Sequence, residues 1–302
     1  CFISIMSLQI PKSVLLARNL PCALCGSEKP RQLSHILPAF VFKHAQIRSP
    51  TGYLRTTVAP NKRVQDGPKD YILCRNCEQV FAEWEKPFSN IFKLHNSLRN
   101  ETITYSRLDA LCALSMVWRV LYNARSHPEL NHLTFKGDYS RTDPCFSVWS
   151  ATLLNGGNPG KFPLFWIFFG DIVGGSNLPE NINRYIFHAS DYDLMANSNE
   201  SFVYVHIPGI FIVGMCEDYD KREWSGLKVG FNGGRYFQEN KTVPGFIGQL
   251  IREKAESSLD AQSRISSKQK NRIAEDALRD PSKLINSLIA RSLTQDMDLD
   301  HD

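Results

Sequence analysis

The 302-residue sequence predicts an α+β fold: a small cysteine-bearing N-terminal module, a core helix, an antiparallel β-sheet domain and C-terminal helices. Three observations predict it. Two Cys-x-x-Cys pairs, CALC at 22–25 and CRNC at 74–77, mark the module. Strand-forming runs crowd residues 162–237, and helical patterns flank them at 106–128 and 280–293. The expected divisions are an extension at 1–19, the module at 20–100, an α+β domain at 101–243 and a helical region with an acidic tail at 244–302.

The extension opens with Cys1, and Met6 reads as a natural start, so the first five residues are set aside from the fold. The opening has no basic region followed by an apolar core and a small-residue cleavage site, and a cytoplasmic protein is expected. The longest apolar run, FVYVHIPGIFIVGMC at 202–216, is broken by His206 and Pro208-Gly209, so it reads as paired strands rather than a membrane span. Hydrophobic residues make up 42% of the chain, enough for a sizeable core. The net charge of +4 is unevenly spread: residues 1–100 hold 14 Lys and Arg against 6 Asp and Glu, and the remainder holds 21 against 25. A basic module suits a nucleic-acid partner, although a solvated surface accounts for charge alone.

Within the module, a strand and then a helical stretch, PAFVFKHAQI, follow the first cysteine pair. Residues 49–72, with Pro50, Gly52, Pro60, Gly67 and Pro68, read as a loop or short hairpin. The second pair runs into EQVFAEWEK, a helix that Pro87 is expected to end or kink before PFSNIFKLHNSL begins another. SRLDALCALSMVWRVLYNARSHP is a central helix whose Ser106 and Asp109 have capping-box spacing and whose Arg119 is expected to snorkel. The strand runs are FPLFWIFFGDIV, NRYIFHA, SFVYVHI and IFIVGMC, with a tight turn at Pro208-Gly209. Asp280 and Pro281 suit the start of a last helix, and the acidic nine-residue end is expected to fray.

Cys22, Cys25, Cys74 and Cys77 carry the strongest chemical signal. A two-residue gap lets the chain curl so that both sulfurs face one ion, and four thiolates match a tetrahedral structural Zn²⁺. Gly26 eases the first turn, and the ion would also fix the ends of the 48-residue loop between the pairs. Unmetallated thiols or a redox pair are the alternatives.

His35 stands in SHILP, ten residues after Cys25. Taken together, Cys22, Cys25, His35-Ile36, Pro38, Leu73, Cys74 and Cys77, with a helix opening after the last cysteine, resemble the zinc-containing HNH endonucleases (His-Me finger, ββα-metal, treble-clef) of bacterial type. The resemblance covers residues 20–90, and the rest looks like the second part of bacterial proteins that carry this module first. It implies a nuclease that hydrolyses phosphodiester bonds, in DNA ahead of RNA, with His35 as general base and one divalent ion, Mg²⁺ or Mn²⁺. The family's company further implies a defence role against phage.

The sequence departs from the family at two ligand positions. Ser34 stands where Asp or His precedes the base, and Glu78 stands where a His follows the last cysteine. Glu78 suits Mg²⁺, and it equally suits the N-terminus of a helix. Asp66 is a metal ligand or a turn residue before Gly67; Asn61 lies early for the family's middle Asn. His44 and His95 read as surface or partly packed residues, His206 as core edge. Arg31, Lys43, Lys62, Arg63, Lys69 and Arg75 are candidate phosphate contacts, with Lys29, Arg48 and Arg55 beside them. Two other readings stay open. One is a non-catalytic zinc-stabilised module that binds nucleic acid or a protein. The other is a subunit that works, as an oligomer or with a partner, through its C-terminal sheet.

Overall fold

The computed structural model describes residues 2–4, 18–49, 51–98, 102–127, 139–175, 177–196, 200–237, 242–279 and 288–299. Among them it has eight α-helices and mixed sheets, an α+β arrangement. The module holds β2 (Arg31–His35), α1 (Ala39–Arg48), β3 (Arg55–Thr56), β4 (Lys69–Cys74) and α2 (Arg75–Leu98). β2 and β4 pair antiparallel, with Ser34 opposite Asp70 and His35 opposite Lys69. Successive strand residues face opposite sides, so His35 shares a face with Lys69 while Ser34 and Asp70 share the other.

α2 is one helix of 24 residues with Pro87 inside it, which corrects the expected break. Phe81, Trp84, Phe88 and Phe92 are all buried, so the apolar stripe continues through the proline in helical register. Their burial outweighs a helix-interior proline penalty of about 3 kcal/mol. β5 (Thr102–Tyr105) leads into α3 (Arg107–Ser126), where the Ser106 N–H donates to Asp109 Oδ2 at 2.7 Å, the expected N-terminal box. Of α3, 14 residues are buried, and the helix packs on the strands Ser190–Ala196, Ser201–Ile207 and Ile210–Met215. Arg119 does not snorkel; it is buried in the interior at 2% exposure.

α4 (Asp143–Asn155) packs on α3 and is followed by β6 (Leu164–Phe168). The run NRYIFHA, expected as a strand, is instead α5 (Ile182–His188), and the strand is the next segment, β7 (Ser190–Ala196). A short apolar run is compatible with a buried helix or a buried strand, and here the packing decides. β8 (Ser201–Ile207) and β9 (Ile210–Met215) form the hairpin turned at Pro208-Gly209. With Phe2–Ser4 as β1, the six-stranded sheet has the order β3-β1-β7-β8-β9-β6, antiparallel from β7 to β6. β1 (Phe2–Ser4) lies parallel to both β3 and β7, so residues set aside from the fold contribute a strand to it. β10 (Gly234–Phe237) pairs with β5.

The chain finishes with α6 (Gly245–Ser263), α7 (Ser267–Leu278) and α8 (Leu288–Met297). Asp280 and Pro281 lie outside the described residues. The acidic end is docked as far as Leu299: Asp296 is buried, accepts from the Asn183 N–H at 2.8 Å and pairs with Arg184 at 2.7 Å. One hydrophobic cluster runs from Cys22 to Leu299 without a break at residue 100. No helix among the described residues is long and apolar enough to cross a membrane.

Candidate metal centre and the His35 rim

The first cysteine pair sits in a tight turn. The Gly26 N–H donates to the Cys22 carbonyl at 2.9 Å with Gly26 at φ 70°, and the Cys22 N–H donates to the Ser27 carbonyl at 2.8 Å. The second pair spans the junction of β4 and α2, and the Cys74 N–H donates to Cys22 Sγ at 3.3 Å. The four sulfurs all lie within 4.8 Å of one another. Cys25 Sγ and Cys74 Sγ are 3.8 Å apart, well beyond a disulfide bond. A tetrahedron with metal–sulfur bonds of about 2.3 Å has an edge of about 3.8 Å. The set can hold a structural metal ion such as zinc. Burial of Cys22 opposes ionisation, yet hydrogen bonds from the backbone of Cys25, Cys74 and Leu24 bring its thiol down to about 7. Burial raises Cys77, and the nearby Cys22 charge raises it further.

His35 ends β2 at the rim of this module. Its Nε2 lies 2.7 Å from Asp66 Oδ1, and its ring stacks on Phe42 with centroids 6.0 Å apart. Asp66 also accepts from the Gly67 N–H at 2.8 Å and pairs with Lys69 Nζ at 2.6 Å. Burial pushes against ionisation of Asp66, but the hydrogen bonds from Lys69, His35 and the Gly67 N–H prevail and hold its carboxyl at about 2. The ordered carboxylate fixes one imidazole nitrogen. Nδ1 has no hydrogen-bond partner among the described residues.

The other proposed ligands do not join this pair. Ser34 is buried and its hydroxyl donates to the Gln32 carbonyl at 3.3 Å, on the strand face away from His35. Glu78 Oε1 is buried and makes no hydrogen bond among the described residues. The four cysteines are the only set of three or more His, Cys, Asp or Glu ligand atoms within 4.8 Å among the described residues. His35, Asp66 and Glu78 therefore form no assembled ligand set, and the residues present do not fit the Mg²⁺ or Mn²⁺ site that the resemblance implies. Asn61 is also elsewhere: it donates to the Arg264 carbonyl at 3.1 Å and accepts from the Ser266 N–H at 2.8 Å.

The basic candidates divide. Lys43, Lys62 and Arg75 are exposed. Arg31 is turned inward, where its guanidinium donates to the Pro21 carbonyl at 2.7 Å and the Tyr71 carbonyl at 3.1 Å, so it braces the module and does not face phosphate. Arg63 pairs with Asp276 at 2.6 Å, and Lys69 is held by Asp66. His44 packs edge-on to Phe92, whereas His95 is fully buried and bonds the Gly209 carbonyl at 3.1 Å, which corrects its surface reading. His206 is likewise interior: burial lowers it to about 4.

Two features escaped the sequence reading. Arg119 donates to the His35 carbonyl and to Glu85 Oε1, each at 3.0 Å; the signal was a lone charge inside LCALSMVWRVL. On the sheet, Lys254 of α6 pairs with the buried Asp191 at 3.5 Å, and Tyr204 donates to the same carboxylate at 3.0 Å. No pattern in the sequence links those three. Compared with known proteins, the chain matches no family model, no curated protein and no solved structure.

Proposed function

We propose that the protein hydrolyses phosphodiester bonds in nucleic acid, DNA ahead of RNA, with His35 as the general base. The observation that carries this reading is the His35–Asp66 contact of 2.7 Å at the rim of the cysteine cluster. A neutral imidazole that donates from Nε2 to a fixed carboxylate leaves Nδ1 as the acceptor for a proton from water. Asp66, an aspartate low enough to stay ionised at neutral pH, keeps that tautomer and stabilises the imidazolium formed. The metal-holding cysteines fix the start of α2 against β4, and so the strand that carries Lys69 opposite His35. Lys43, Lys62 and Arg75 supply exposed positive charge for a phosphate backbone.

A second reading is favoured by the absence of an assembled divalent-ion ligand set around His35 among the described residues. In it the module binds nucleic acid or a protein without cleaving. One experiment separates the two. Supercoiled plasmid and single-stranded RNA are incubated with wild type and with His35→Ala, in Mg²⁺ or Mn²⁺ and then with chelator. The nuclease reading expects nicking by wild type and a loss of at least about 100-fold in the variant, at equal metal content and helicity. Equal cleavage by both sinks His35 as the base. No cleavage by either, with DNA binding that weakens steeply as salt rises, selects the binding module.

A further inference from the structure

We infer that Arg119, in the central helix α3, is a positioning residue for His35, so that the reacting module is set by the body of the protein and not by its own zinc knuckles alone. The inference rests on the reading of His35 as a base. His35 is held at three points. Phe42 stacks on its ring, Asp66 takes Nε2, and Arg119 Nη1 donates to its backbone carbonyl at 3.0 Å. The third anchor comes from outside the module. The same guanidinium donates through Nη2 to Glu85 Oε1 at 3.0 Å and through Nε to the Ser115 carbonyl at 3.3 Å, and it lies 5.4 Å over the Phe81 ring. One buried side chain therefore joins the end of β2, the middle of α2 and α3.

The chemistry explains why arginine stands there. His35 is the last residue of β2, so its carbonyl lies where the ladder ends and needs a donor from elsewhere. A buried cation is tolerated when it is paired and its donors are satisfied, and Glu85 supplies the charge. The planar fork reaches the carbonyl, the carboxylate and the helix backbone at once, whereas a lysine has a single nitrogen at the end of a flexible stem. Removing that fork frees the strand end on which the imidazole is mounted. A shift of about 1 Å in a catalytic group is enough to lower a rate by as much as 100-fold.

The test uses the full chain with its metal, as wild type, Arg119→Lys and Glu85→Gln. The glutamine variant keeps the guanidinium and an acceptor in place and removes the charge at the partly exposed end of the pair, which makes it the milder of the two changes. Plasmid cleavage is measured as kcat and KM, and the His35 ring is followed by NMR after ¹³C labelling of histidine. The expected result is a fall in kcat of about 10-fold or more for Arg119→Lys with KM held within about twofold, a smaller fall for Glu85→Gln, and a displaced His35 ring resonance in both. Wild-type kcat and an unmoved His35 resonance in a folded, metal-loaded variant would overturn the inference. If wild type does not cleave, the nuclease reading fails by itself, and the NMR shift still decides whether Arg119 sets His35.

Discussion

Gly67 shows how closely the His35 rim is packed at the level of one residue. A Cβ built there would lie 2.0 Å from Phe42 Cε2, and Phe42 is the ring on which His35 stacks. Gly67→Ala must displace that buried ring or lift the turn that carries Asp66, and either movement separates Asp66 from His35. The expected outcome is a loss of about 1–3 kcal/mol in a urea titration. An unchanged midpoint would show that the turn has room to relax. His35 and Asp66 were both legible as reactive types in the sequence, but their contact was not, because 31 residues separate them and the pairing depends on how the loop closes. The pH response of Asp66 has a definite sign. Its folded value of about 2 lies below the ordinary 3.8, so its contribution is complete above about pH 4 and is lost as pH falls towards 2. The carboxylate is half-exposed, and solvent screening keeps that contribution small.

Among the elements, α2 ties the cysteine cluster to the core. It begins at the second cysteine pair and ends 24 residues later with Phe88, Phe92 and His95 buried against the rest of the chain. Its type was legible in EQVFAEWEK, read with Val80, Phe81 and Trp84 on one side; Phe81 and Trp84 are buried, but Val80 is exposed. Its continuity was not, because a local rule about proline competes with tertiary packing that the sequence does not display. Pro87 removes the N–H that would bond the Glu83 carbonyl and crowds that carbonyl with its ring. Pro87→Ala is therefore expected to raise stability by about 1–3 kcal/mol in chemical denaturation. A less stable variant would show instead that α3 packs against a bend which the proline creates. The α5 and β7 assignments were lost for a different reason. NRYIFHA is apolar on several sides and short, so its periodicity cannot separate helix from strand, and SDYDLMA carries two aspartates that hide a strand.

For the whole molecule, the question is whether the metal module is a separate unit or part of one cooperative body. The basic N-terminal third and the two Cys-x-x-Cys pairs both suggested a module with its own boundary. Three sets of contacts join it to the rest. Arg119 reaches from α3 to β2 and α2, and β3 enters the six-stranded sheet through β1. At the C-terminal end Arg63 pairs with Asp276, Arg55 donates to Gln269 at 3.2 Å, and Asn61 bridges Arg264 and Ser266. The hydrophobic cluster is continuous across all of these joints. If the cysteine set holds an ion, its loss should therefore weaken the sheet as well as the knuckles, because four crowded thiols without an ion leave α2 unfixed against β4. Metal binding also requires the thiolates, and burial holds the Cys25 and Cys77 thiols above their ordinary value, so protons compete with the ion and affinity falls as pH drops. Treating the metal-loaded protein with a strong chelator at pH 7 is expected to lower the thermal midpoint of the whole chain by several degrees in a single transition, seen alike by far-UV circular dichroism and by tryptophan fluorescence, which samples Trp84 in the module and Trp166 and Trp224 in the rest of the core. A lower pH should reduce the chelator concentration needed for the same loss of metal, once the chelator's own protonation is allowed for. Two separated transitions, with the later one insensitive to the chelator, would show that the module unfolds alone and that the joints through Arg119, β3 and Asp276 are too weak to couple it to the sheet.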